Sequence, residues 1–193
     1  VSTAERVLWR VFPWNPAAAE GEPFSASFVP AGQGRGRFDL PGRPSGVVYL
    51  AETPEHAVAE LIQRFRNQPA PLEQADLVVA GWTLALVAIT LSPAASAGVA
   101  DLCDPELLAR HGIRPDDTAA RARPPSQRAA ADLHAAGHAG LRWWSAFFGE
   151  WHSVVLFRDR MAADALSYGA PAPLHLAHPA LTEAALALDV PLR

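Results

Sequence analysis

The apolar positions change period several times along the chain, and each change marks an element. RVLWRVF (6–12) is a β-rich run closed off by Pro13 and Pro16, which predicts a first strand. Residues 15–46 are rich in glycine and proline and carry little periodic pattern, as a long irregular segment would. GVVYLA (46–51) predicts a short strand. Thr53 then suits an N-cap, Pro54 the first helical position and Glu55 the positive end of a helix dipole. Ala57, Val58, Leu61, Ile62 and Phe65 recur at helical spacing, so 46–67 reads as a strand–turn–helix unit.

Further on, LVVAGWTLALVAITL (77–91) predicts one or two buried strands, with Gly81 as a bulge or break. DPELLARHG (104–112) predicts a short helix capped by Asp104 and stopped by Gly112. RPDDTAARARPP reads as a polar connection. SQRAAADLHAAG (126–137) predicts a second helix with Ser126 as cap and Gly137 as stop. GLRWWSAFF and WHSVVLFR predict two strands around Gly149-Glu150, and HPALTEAALALDV a last short helix. Strands and helices interleave without strict alternation. The expected fold class is therefore α/β (α+β mixed), a mixed central β-sheet with flanking helices, in a single domain over 1–193.

Composition mainly excludes. Net charge is −4 and the arginines are scattered, unlike the basic patch of a nucleic-acid binder. All 16 basic residues are arginine, which fits a GC-rich genome. The single cysteine, Cys103, has no internal disulfide partner, which fits a reducing compartment. The N-terminus lacks an apolar signal region, and the 77–91 run is too short for a membrane span, so a cytoplasmic protein is expected.

Most single residues with chemistry have ordinary explanations. GQGRGRF (32–38) is G-x-G-x-G without the strand–helix context of a nucleotide loop, but a flexible loop can deliver arginine to an anion. His134 and His138 have i,i+4 spacing, yet Gly137 falls between them, so a solvated helix end is expected and no metal site. Glu60 lies roughly 130° from the apolar stripe of its helix, on a solvated face within i+4 reach of Arg64. Tyr49 and Ser145 are unremarkable strand residues taken singly. The tryptophans suit a core.

Taken in order, several blocks resemble the RES domain family, named for its arginine, glutamate and serine. They are WRVFP (9–13), GRFDLPG (36–42), VVYLAETPEHAVAE (47–60), DLCDPELLARHGI (101–113), and RPPSQRAAADLHAAG through GLRWWS to VVLF (123–157). The resemblance covers about residues 6–160 and leaves 161–193 as a C-terminal extension. One departure stands out. The family turn has tryptophan and asparagine where this chain has Phe38 and Asp39, which keeps a flat ring but exchanges amide donors for a negative charge.

The resemblance implies a fold similar to diphtheria-toxin-like ADP-ribosyltransferases. It further implies NAD as substrate rather than cofactor, cleavage of the nicotinamide–ribose bond, and a toxin role with a helix-turn-helix antitoxin as partner. Homo-oligomers are compatible with it; nucleic acid and membrane are not implied. On this reading Glu60 stabilises the oxocarbenium-like ribose, and Arg37, with Arg10, holds the diphosphate beside Asp39. Tyr49 offers a flat ring with a polar tip to nicotinamide, and Ser145 bonds the nicotinamide amide or ribose. Loop, strand and helix would converge on one cleft. Two other readings stand beside it: a catalytically impaired RES domain that binds a nucleotide or an antitoxin, and a non-enzymatic interaction protein.

Overall fold

The computed structural model describes residues 5–43, 45–119, 122–145 and 148–193. In chain order the elements are β1 (Arg6–Pro13), β2 (Val47–Ala51), α1 (Pro54–Ile62), β3 (Val78–Val79), β4 (Trp82–Leu91) and α2 (Pro93–Ala97). They continue with β5 (Val99–Asp101), α3 (Pro105–His111), α4 (Pro115–Ala119), α5 (Arg123–Ala135), β6 (Gly140–Trp144) and β7 (His152–Phe157). β8 (Leu166–Tyr168), β9 (Ala172–Pro173) and α6 (Pro179–Leu188) complete the series. The result is the expected mixed α/β fold, a central mixed sheet flanked by helices.

The chain divides into two compact units. The first comprises Val1–Arg6, Val29–Leu50 and Leu91–Ser167. Its strands run in the order β2–β7–β6–β5, with β6 and β7 antiparallel and β5 and β6 parallel. The β6–β7 pairing extends to Trp144 opposite His152, as the hairpin around Gly149-Glu150 requires. Gly140 is tightly enclosed, because a Cβ there would meet the Val155 carbonyl oxygen. Phe38, Val47, Leu102, Leu133, Leu141, Val155 and Phe157 form the core, joining loop, sheet and α5. Burying each such side chain contributes roughly 1.5–3 kcal/mol against leaving it in water.

Helix ends in this unit follow local rules. The Asp104 side chain accepts from the Glu106 amide at 2.9 Å, and Gly112 ends α3 in the left-handed region at φ 62°. α5 differs from expectation. It starts at Arg123, with Ala122 as cap, so Pro124 and Pro125 lie in its first turn and Ser126 is interior and buried. Proline is tolerated there because the first-turn N–H groups have no intrahelical acceptor anyway. The polar connection before it likewise contains α4, with Asp116 and Asp117 at its positive end.

The second unit comprises Val7–Phe28, Ala51–Thr90 and Tyr168–Arg193. β1 pairs antiparallel with the end of β2 through Trp9 and Ala51. β3 and β4 form a hairpin whose two linking residues, Ala80 and Gly81, both have positive φ (53° and 81°). That backbone matches the twist of the strands, so Gly81 is a turn residue rather than a bulge. β9 adds antiparallel to β4 through Ala85 and Pro173. Thr53 caps α1 by accepting from the His56 amide at 3.3 Å. α1 packs against α6, burying Val58 and Ile62 with Leu181 and Leu188. Leu72 ties the C-terminal residues in by accepting from the Arg193 amide and donating to Pro191. No described helix is long and apolar enough to cross a membrane.

Candidate functional site

The glycine- and arginine-rich segment before β2 is held at nearly every residue. Gln127 of α5 donates through Nε2 to the carbonyls of Gly34 (3.0 Å) and Gly36 (2.9 Å). The neighbouring Ser126 hydroxyl donates to the Arg37 carbonyl at 2.6 Å, with the Arg123 carbonyl one turn back at 3.0 Å. Arg37 itself reaches the Thr118 carbonyl at the end of α4 with one guanidinium nitrogen, at 3.0 Å. The opening of α5 therefore grips the loop backbone, and it can do so because Ser126 is not spent on capping.

Asp39 and Tyr49 close the loop from the other side. The Asp39 carboxylate is 2% exposed and accepts from the Gly36 amide (2.7 Å) and the Tyr49 hydroxyl (2.8 Å). That same hydroxyl accepts from the Phe38 amide at 2.9 Å. Burial, with the bond to Asp39, pushes the Tyr49 phenol well above its ordinary range and keeps it protonated. Gly36 has no room for a side chain, since a Cβ there would overlap Asp39 Oδ1 and the Tyr49 oxygen. The Phe38 and Trp143 rings pack at 4.6 Å between centroids, and Tyr49 meets Trp143 edge-on.

The charge of Asp39 is thus turned inward onto Gly36 and Tyr49. The Tyr49 hydroxyl donates to Asp39 and accepts from the Phe38 amide, and its ring packs against the core. Ser145, one residue beyond β6, is buried and donates its amide to the Trp151 carbonyl at 2.6 Å. On β5 and β6, Arg142 pairs with Asp101 at 3.0 Å. Burial alone would raise the Asp101 pKa, but the Cys103 amide and the Arg142 guanidinium outweigh it and hold the carboxyl below its usual value.

Glu60 and Arg10 belong to the second unit. Glu60 stands off the apolar face of α1, its side chain 46% exposed, as its angular position predicts. Its carboxylate meets Nε2 of the fully buried His56 at 3.3 Å and accepts from Gln63 at 3.1 Å. Arg64 is occupied elsewhere, donating to the Asp76 carbonyl and lying over the Phe65 ring. The Arg10 guanidinium donates to the Ala26 carbonyl at 2.9 Å, and burial holds its pKa below the ordinary value.

Sequence reasoning missed Gln127, Ser126 and His56 as partners of the expected site residues. Gln127 and Ser126 lie some 90 residues from the loop carbonyls they hold. His56 carried one local signal, its i,i+4 spacing from Glu60. His134 is a correction. It is 2% exposed rather than solvated, and its Nε2 contacts both Asp159 oxygens at 3.0 and 3.1 Å.

The structure is that of a mixed α/β protein, and sequence comparison identifies the family. The model for the RES domain matches residues 7–177, so this chain belongs to the RES domain family. No curated protein matches the chain significantly in sequence. Among solved structures, the fold is similar to a chain of the crystal structure of the M. tuberculosis MbcT–MbcA toxin–antitoxin complex, with a TM-score of 0.59 and 17% identity. That alignment covers 97% of this chain and 89% of the other.

Proposed function

We propose that this RES domain cleaves the nicotinamide–ribose bond of NAD, passing ADP-ribose to water, phosphate or a protein. We further propose that it is the cytoplasmic toxin of a toxin–antitoxin pair. The observation that carries the reading is the bracing of the Arg37 loop in a chain that belongs to the RES family. A loop with this many glycines would lose its order readily; here α5, Asp39 and Tyr49 hold its backbone, which pre-positions a guanidinium for an anion.

Breaking an N-glycosidic bond builds positive charge on the ribose, as in glycosidases. Glu60 supplies the carboxylate that stabilises this charge and accepts from ribose hydroxyls, and the buried His56 orients it. Arg37, assisted by Arg10, neutralises the diphosphate. The Tyr49 ring offers a flat face to nicotinamide, and Ser145 a hydrogen bond to its amide or to the ribose. No metal enters this scheme. The inward-facing Asp39 carboxylate speaks against repulsion of the diphosphate, one of the two grounds for the rival reading of an impaired enzyme; the other, the loss of asparagine's amide donors, is untouched by it.

The partner in this reading is a helix-turn-helix antitoxin; the likeness in fold to a chain of a toxin–antitoxin complex supports an antitoxin as partner, and the helix-turn-helix type comes from the family resemblance. Induced expression in a bacterial host tests the reading. NAD measured in extracts should fall with the wild-type chain and hold steady with Glu60→Ala at equal protein level. Steady NAD with both would count against it.

A further inference from the structure

We propose that His111 and His138 form a two-histidine site for a divalent transition-metal ion such as Zn²⁺, its other positions filled by water or an anionic ligand. His111 is the last residue of α3, and His138 follows Gly137 at the end of α5, its amide bonded to the Leu133 carbonyl at 3.1 Å. Both lie in the first compact unit and both are partly exposed.

Three observations converge on the pair. The two Nε2 atoms stand 3.3 Å apart and the ring centroids 5.2 Å apart. An ion bound tetrahedrally at the usual zinc–imidazole distance places its two nitrogens about 3.3–3.4 Å and its ring centroids about 5.2 Å apart. Rings aimed straight at each other would stand further apart, so these are tilted; in the structure itself the contact is a ring–ring hydrogen bond whose donor depends on the tautomer. Second, the His138 ring also bonds the Gly98 carbonyl. A carbonyl accepts only from a ring N–H; with that proton on Nδ1, Nε2 keeps its lone pair, the outer arrangement of most metal-bound histidines.

Third, both rings leave from helix C-termini, where the dipole favours a cation. Arg110 is the local charge working against a cation.

Other histidines lack this arrangement. His134, the i,i+4 neighbour of His138, is turned onto Asp159. His175 and His178 have centroids 5.8 Å apart, and His178 Nδ1 is spent accepting from the Ala180 amide. Among the described residues no group of three or more His, Cys, Asp or Glu is placed to hold a metal, so the affinity rests on two imidazoles and is modest.

Calorimetric titration of the chelator-treated full chain with Zn²⁺ tests the site. One equivalent should bind the wild type, His111→Ala and His138→Ala should each bind at least ~10-fold more weakly, and His175→Ala should match the wild type. All three variants should melt with the wild type in chelator. Should an alanine variant unfold, the visible spectrum of the wild type with Co²⁺ decides: intense tetrahedral bands support the site. No saturable uptake by the wild type, uptake unchanged in both His111→Ala and His138→Ala, or only the hexaaqua Co²⁺ spectrum would overturn it.

Discussion

Replacing Asp39 by asparagine converts one carboxylate oxygen into an amide nitrogen where both neighbours are donors. Asp39 takes the Gly36 amide at 2.7 Å and the Tyr49 hydroxyl at 2.8 Å, and only 2% of the residue is exposed. Turned one way, the new NH₂ faces the Gly36 N–H, and both donors lose a partner. Turned the other way, it faces the Tyr49 oxygen, which already accepts from Phe38, and strands the hydroxyl proton. Hydrogen bonds to a charged group contribute about 1.5–3 kcal/mol, partly offset by no longer burying a charge, so a net loss of about 1–3 kcal/mol follows. For a chain of this length that lowers the melting temperature by about 2–12 °C.

Thermal unfolding of Asp39→Asn, Tyr49→Phe and the double variant measures this directly. The two changes share one hydrogen bond, so their costs should fall short of additive by about 0.5–3 kcal/mol. An Asp39→Asn protein as stable as the wild type, or strictly additive costs, would refute the inward-facing role of Asp39. The outcome also bears on function, because an asparagine that loosens the loop should not improve NAD turnover.

Other predictions follow from neighbouring contacts. Gln127→Ala frees the Gly34 and Gly36 carbonyls and should raise KM for NAD roughly tenfold with a smaller change in kcat, since the arginine loop binds diphosphate in ground and transition states alike. Gly36→Ala should disrupt the loop more severely, because its Cβ would overlap Asp39 and Tyr49; loss of protection in amide exchange across 34–39 is the readout. The raised Tyr49 pKa means that its contribution is full below the ordinary phenol value near pH 10 and is lost as pH rises above it. In a Tyr168→Phe background, phenolate absorbance should therefore appear only as the protein unfolds in alkali; normal titration in the folded state would contradict the Asp39 bond. Glu60→Ala removes the carboxylate from Nε2 of the buried His56 and should cost about 1–3 kcal/mol of stability, yet reduce kcat by at least ~100-fold.

Much of this architecture was legible because its signals are local. Thr53, Pro54 and the apolar stripe of α1 specify a helix whose free face carries Glu60, and the structure has that arrangement. Asp104 and Gly112 bound α3 as capping chemistry predicts. Misreadings arose where one residue can serve two purposes. Ser126 reads as an N-cap, but the prolines before it enter the helix and release its hydroxyl to a carbonyl far away in sequence. His134 reads as solvated beside Gly137, but Asp159, from beyond β7, covers it. β5, β8 and β9 have only three, three and two residues, too few for alternation to show. The residues alone show a loop able to bring arginine to an anion, and the family likeness singles out Arg37; the grip of α5 on that loop has no sequence signature.

The central claim is that this chain breaks the glycosidic bond of NAD with Glu60 at the ribose. Proton NMR of purified protein with NAD, with and without phosphate and beside Glu60→Ala, tests it most directly. Free nicotinamide should accumulate with the wild type and remain absent with the variant, and a dependence on phosphate would assign the acceptor. Nicotinamide release by Glu60→Ala at the wild-type rate, or intact NAD in every wild-type sample, including those supplied with cell extract as a source of protein acceptors, would contradict the account.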